Sequence, residues 1–279
     1  MASNPTGNST PTHPAGAGSA LMERIGATAG SRIVGYLPGA YPTEHAFKDA
    51  LDGLYDAGIR VLEIGIPGAI GDLEGGTIAR ALEAVEDRGL DPLDVIVSST
   101  SAARERGFIP VVMAFRAAVF DRVGIERFVD AAAEHGATAI LVPDATAEEF
   151  RLLRGHCARH DLAVVPFVPA VGDTPPIEQD AAFVYLQTAD VPTGTAFEPD
   201  TYLAERVRQV RAVAPENVPV ALGFGIRTPE QVRRARALGA DLVIVGTGMV
   251  DALNRGIDAL RDYALDVAAA VTSANARED

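Results

Sequence analysis

Short apolar runs of strand length recur along the chain: RIVGYLP (32–38), RVLEIGIP (60–67), FIPVVMAF (108–115), TAILVPD (138–144), LAVVPFVP (162–169), AFVYLQT (182–188), PVALGFG (219–225) and DLVIVGT (241–247). Each reads as a buried strand. The stretches between them change to helical spacing. TEHAFKDALDGLYDAG (43–58) opens on a Thr cap and stops at a Gly. GIERFVDAAAEHG, AEEFRLLRGHCARH, DTYLAERVRQVRAV and TPEQVRRARALG read the same way, with Pro229 behind Thr228 at a first helical turn. The helical stretch after the second run is double (77–88 and 92–106). The one after the fifth, GDTPPIEQDA, is too short and proline-rich for a full helix. Eight strands alternating with helices predict an α/β fold, a single-domain (β/α)8 TIM barrel. An open doubly wound sheet competes with it, but no G-x-G-x-x-G follows the first run.

Length and charge narrow the picture. The 279 residues suit one such domain. The opening MASNPTGNSTPTHPAGAGSA has neither a basic nor an apolar signal region, so residues 1–22 read as a disordered tail, 23–270 as the barrel and 271–279 as a frayed end. No apolar run approaches the roughly 18 residues of a membrane span, and a cytoplasmic protein is expected. A net charge of −14 argues against nucleic-acid or anionic-membrane partners, though it leaves room for a local anion site. The one cysteine, Cys157, gives no disulfide framework and no metal cluster, and reads as an ordinary helix thiol.

The second run carries an anomaly. In VLEIGI, Leu62, Ile64 and Ile66 form one alternating set and Val61, Glu63 and Gly65 the other. The first set faces the helices, so Glu63 points into the barrel with Gly65 leaving space above it. A buried carboxylate costs several kcal/mol unless it is hydrogen-bonded or protonated. Glu63 is therefore either paired within the core or a general acid/base at the catalytic face. At the far end of the chain, GFGIRTPEQ follows the seventh run and VGTGMVDAL the eighth. Gly223, Gly225, Gly246 and Gly248 with Thr247 suit a phosphate held between these loops, the alternative being plain turn chemistry. The single lysine, Lys48, lies on the first helical stretch, so no Schiff-base lysine is on offer. All five histidines lie in the tail or in helical stretches, so no metal site is expected. The chemistry rests on carboxylates and hydroxyls.

These motifs resemble one family. Glu63 in LEIGIP, an acid eleven residues later, GGTI, GFGI-x-TPEQV and a Gly-Thr step at the eighth strand are similar to the tryptophan synthase α subunit family, over about residues 32–265. The resemblance implies cleavage of indole-3-glycerol phosphate to indole and glyceraldehyde 3-phosphate without a cofactor. It implies Glu63 as the catalytic glutamate, Tyr185 beside the substrate, and Tyr36 in the indole pocket. It matches Gly194, Gly225, Gly246 and Thr247 to phosphate-binding positions, and Thr193-Gly194 to a lid-loop motif in which Pro192 replaces valine. The departures are concentrated in loops. PGAIGDLEGG (67–76) stands where the family has Pro-Phe-Ser-Asp-Pro-Leu-Ala-Asp-Gly-Pro. Glu74 takes the slot of the second catalytic Asp, and Ile70-Gly71 that of Asp-Pro. Ala117 replaces an Asn, and Ala189 an Arg found in some members.

The implied retro-aldol step needs a base for the hydroxyl proton and an acid for indole C3, both assigned to Glu63. A second carboxylate holds the indole N–H; it is Glu74, or Asp72 as the alternative. Asp144 is either a lesser acid or a loop cap. Because the rewritten loops contact substrate and the β subunit in the family, a weak or absent complex with that subunit is expected. The alternative functions are another carboxylate-driven aldolase or isomerase on a phosphorylated substrate, and a non-catalytic barrel that binds a ligand or partner.

Overall fold

A computed structural model describes residues 17–25, 32–68, 75–188 and 201–275. Nine strands lie in one parallel sheet: β1 Ile33–Pro38, β2 Val61–Gly65, β3 Ile109–Met113, β4 Ala139–Leu141, β5 Ala163–Val164, β6 Phe167–Val168, β7 Val184–Gln187, β8 Val220–Gly223 and β9 Leu242–Val245. Their order is β5-β4-β3-β2-β1-β9-β8-β7-β6. Eight barrel strands were expected and nine segments are found, because Pro166 interrupts the fifth. Proline has no N–H to give to a ladder, so the run splits into β5, paired with β4, and β6, paired with β7. Val165 N still donates to Ile140 O at 3.0 Å on one side, and Tyr185 N to Pro166 O at 3.0 Å on the other. The two ends of the strand order are thus consecutive in the chain, and the sheet curls round on itself as a barrel.

The helices are α1 Ala17–Ile25, α2 Glu44–Asp56, α3 Gly76–Glu86, α4 Pro92–Glu105, α5 Ile125–Glu134, α6 Ala147–Cys157, α7 Thr201–Val213, α8 Pro229–Ala237, α9 Thr247–Leu253 and α10 Ile257–Asn275. Their starts follow from local chemistry. Thr43 Oγ1 accepts from Ala46 N at 3.1 Å, and Thr146 and Thr228 form reciprocal capping boxes with Glu149 and Gln231. The end of β3 leads into a π-helix, Ala117–Val123, rather than directly into α5.

Two apolar clusters follow from the two faces of each strand. Leu62, Ile64 and Ile66 pack outward with helix residues such as Leu51, Val95 and Ile96. Val61, Val111, Leu141, Tyr185 and Ile244 fill the interior. The chain ends differ from the boundaries expected at 22/23 and 270/271. Helix α1 crosses the first: Leu21 and Ile25 are buried with Val34, Val61 and Ile109, near the N-terminal ends of their strands, so α1 plugs the bottom of the barrel. Helix α10 crosses the second.

Candidate functional site

At the C-terminal ends of the strands, one small cavity of about 30 Å³ is lined by Tyr36, Glu63, Tyr185, Gly225, Gly246 and Thr247, together with Ile78, Met113, Leu141, Pro143, Phe167, Phe224, Ile226 and Ile244. Six of the expected site residues are therefore gathered into one place from five different strands or strand ends. Glu63, expected on the inward face of β2, is buried (3 % exposed) and stands opposite Tyr36 in the β1–β2 register. Glu74, Asp72, Thr193 and Gly194 lie outside the described residues.

Glycines shape this cavity in two ways. Gly65 does not leave open space above Glu63. The phenol of Tyr36 lies over it, so that a Cβ there would fall 2.2 Å from Tyr36 Oη. Likewise Gly223 on β8 receives Tyr185, whose Oη would be 2.3 Å from an added Cβ. Each phenol leans onto a glycine of the next strand. Gly223 and Gly248 are thus packing positions, Gly248 lying under Tyr263 Oη, rather than openings for an anion. Gly225 and Gly246 are the two glycines of that group that line the cavity. Gly225 needs its residue type, since its φ is +69°, and Phe224 before it is also left-handed at +76°. The pair makes a tight turn that swings Phe224 over the barrel mouth. Its ring then meets Tyr185 and Phe167 with centroids 5.9 Å from each, and Phe167 meets Tyr185 at 5.4 Å. Sequence reasoning missed these two phenylalanines, although both occupy strand-end positions in runs already assigned.

A polar brace also escaped the sequence. Asp251 on α9 accepts from Thr77 Oγ1 at 3.0 Å and pairs with the Arg227 guanidinium. Tyr263 Oη donates to Arg227 O at 2.7 Å, and burial pushes that phenol's pKa up. Arg227 follows the Phe224-Gly225 turn and Thr77 opens α3, so the brace ties two rims of the cavity together. Asp144 acts as a loop cap: its Oδ1 accepts from Arg116 N at 2.7 Å. Burial raises the Asp144 pKa, and that backbone hydrogen bond offsets part of the rise. Among the described residues no group of three or more His, Cys, Asp or Glu is placed to hold a metal ion. No helix among them is long and apolar enough to cross a membrane.

A parallel barrel with an inward carboxylate and two glycine turns at the catalytic end of its strands belongs to the (β/α)8 enzymes. The comparisons with known proteins are more particular. The family model of the tryptophan synthase alpha chain matches residues 22–277. The tryptophan synthase alpha chain of Halobacterium salinarum is 34% identical over 262 residues, covering 86% of this chain and 91% of that one. That of Mycobacterium tuberculosis is 31% identical over 244 residues, covering 86% and 88%. A solved structure of M. tuberculosis tryptophan synthase superposes with a TM-score of 0.78 at 28% identity, covering 91% of this chain and 96% of that one. The chain belongs to the tryptophan synthase α chain family, whose members carry out the lyase-type cleavage of indole-3-glycerol phosphate.

Proposed function

We propose that this chain is itself a carbon–carbon lyase acting on indole-3-glycerol phosphate, with its chemistry at the cavity around Glu63. The observation that carries the reading is a carboxylate buried on the inward face of an apolar strand, beside two phenols and below two glycine turns. In the retro-aldol step the bond between indole C3 and the hydroxyl-bearing side-chain carbon breaks. The hydroxyl proton leaves as that carbon becomes an aldehyde, and a proton is delivered to C3. Glu63 is assigned both transfers, since a carboxylate shielded from water is suited to hold and return a proton. Tyr185 orients the ring, and Glu74 or Asp72 supplies the carboxylate for the indole N–H. Gly225, Gly246 and Thr247, with Gly194, are assigned the phosphate.

Incubation of the purified protein with indole-3-glycerol phosphate, followed by measurement of indole, tests the reading. Glu63→Gln keeps the shape but cannot transfer a proton, so a folded variant should lose turnover by several orders of magnitude. A folded variant that retains most of the rate ends the assignment. The small open volume favours one second reading, a carboxylate-driven aldolase or isomerase on a smaller phosphorylated substrate. It gains if no indole forms while glycerol 3-phosphate still binds.

We also propose that activity belongs to the isolated chain. The four glycines of PGAIGDLEGG raise the entropic cost of ordering that stretch against a partner. Arg116, at the start of FRAAVF, is already engaged within the chain, with Asp121 at 2.8 Å and Glu149 at 2.7 Å. Sedimentation with a tryptophan synthase β subunit at micromolar concentration should show weak or no complex. A stable complex with many-fold stimulation of indole release overturns this.

A further inference from the structure

A second and far larger cavity, about 380 Å³, opens beside the first. It lies between the ends of β4 and β5–β6, against the face of α6 that carries Ala147, Phe150, Arg151 and Arg154. Its walls are mostly apolar: Val142, Phe150, Pro166, Phe167 and the Pro175-Pro176 turn. The break at Pro166 helps create it, since β5 and β6 part company there. The volume falls within the roughly 300–1,000 Å³ typical of small-molecule pockets.

The charges at its edge are unequal. Arg154 is satisfied, with Glu178 at 3.3 Å and Asp180 at 3.1 Å. Arg151, one turn earlier on α6, is 75 % exposed and among the described residues pairs only with Glu148 at 3.8 Å. An apolar chamber with an exposed, loosely paired guanidinium at its mouth selects for an apolar ligand with one negative group. The chain's net charge of −14 gives an anionic ligand little long-range attraction, so its binding must come from local contacts.

We propose that this cavity is a second ligand site, taking a flat aromatic ring that bears one carboxylate. The ring packs against Phe150, Pro166 and Phe167, and the carboxylate meets Arg151. Phe167 and Pro143 line both cavities. An occupant therefore presses on the ring that also meets Tyr185 and Phe224, and holds the first cavity in its narrow form. It acts as an inhibitor of the reaction at Glu63, a consequence that rests on the proposed function, whereas the binding itself does not.

The chain contains no tryptophan, so the emission of 2-naphthoate can be followed without tryptophan background. Titration should show saturable binding at one site. Arg151→Glu, at an exposed position that leaves folding intact, should weaken it at least about fivefold, and uncharged 2-naphthamide should bind the native protein similarly more weakly. Ala147→Phe, also at an exposed position, places a ring in the cavity mouth and should abolish binding. In the indole assay, 2-naphthoate should slow the native enzyme and leave Ala147→Phe unaffected. If no indole forms at all, the function fails and the titration still decides the site. The site is overturned if no saturable binding occurs, if neither variant changes it, or if the naphthamide binds equally well. It is also overturned if the variants abolish self-association instead, which would make this face a contact between copies.

Discussion

Gly65→Ala measures how closely the cavity is built. An alanine Cβ at this position falls 2.2 Å from Tyr36 Oη, 2.8 Å from Cζ and 3.0 Å from Cε2. Non-bonded carbons rest at about 3.5–4.0 Å, so the phenol must retreat by roughly 1 Å. Gly65 does not have a left-handed φ, so backbone strain contributes nothing and the effect is steric. Overpacking of this kind costs about 1–3 kcal/mol, a fall in Tm of several degrees. Tyr36 stands opposite Glu63 in the strand register, and a displacement of roughly 1 Å at a reacting centre costs on the order of a hundredfold in rate. Calorimetry and the indole assay should therefore both register the change. Tyr36→Phe removes the atom in closest conflict and leaves Cζ at 2.8 Å, so the double variant should recover part of the lost Tm but not all. If Gly65→Ala keeps both Tm and kcat/KM, or if Tyr36→Phe gives no relief, the phenol is not wedged as described and the reasoning fails.

Three further outcomes are expected. At Gly246, a Cβ meets Ile78 Cδ1 at 3.4 Å and Tyr36 Cβ at 3.5 Å, ordinary contacts; Gly246→Asp should fold yet raise the Kd for glycerol 3-phosphate by about tenfold or more through like-charge repulsion, and unchanged affinity in calorimetry moves the anion elsewhere. Thr77→Val and Asp251→Ala should be non-additive by about 0.5–1.5 kcal/mol in denaturant unfolding, because each removes the same hydrogen bond; simple additivity removes the brace. Burial pushes the Cys157 thiol from 9.0 up to about 12, so it should resist a thiol reagent at neutral pH until the protein unfolds. Between those two values the unfolded chain binds fewer protons than the folded one, so stability should fall as pH rises through that window, a slope that Cys157→Ala should flatten.

Alternation is a one-dimensional property, and what depended on it was legible in the chain. The period of two in VLEIGI placed Leu62 and Ile64 among the helices and Glu63 inside the barrel, as found. Cap chemistry was equally local, as Thr43 and Thr228 show. Helix α1 was hidden by composition: its Ala and Gly neighbours resemble a tail, and only burial of Leu21 and Ile25 under the barrel makes them structural. The split of the fifth strand was written in Pro166, whose missing N–H should have told against one unbroken run. Nothing local announces the brace, since Thr77 and Asp251 lie far apart in sequence and meet only when the barrel closes.

Glycine shows where pattern reading reaches its limit. Four glycines near the seventh and eighth strands looked alike as approaches for an anion, because a sequence records a missing side chain but not what fills the space. In the folded chain Gly223 and Gly248 are occupied by the phenols of Tyr185 and Tyr263, while Gly225 and Gly246 face the cavity. The same letter thus does two jobs within a few residues. One pair lets large aromatic rings cross a neighbouring strand or helix and so narrows the site. The other pair lines the cavity with no side chain filling it. Tyrosine and glycine on adjacent strands form a single packing unit in each case, Tyr36 with Gly65 and Tyr185 with Gly223, and the two units lie on either side of β9 in the sheet order. The cavity's width is set by these rings, so changes in size at Gly65 or Gly223 should alter substrate fit without touching any acid, whereas the proton transfers proposed for Glu63 should be lost only with its carboxylate.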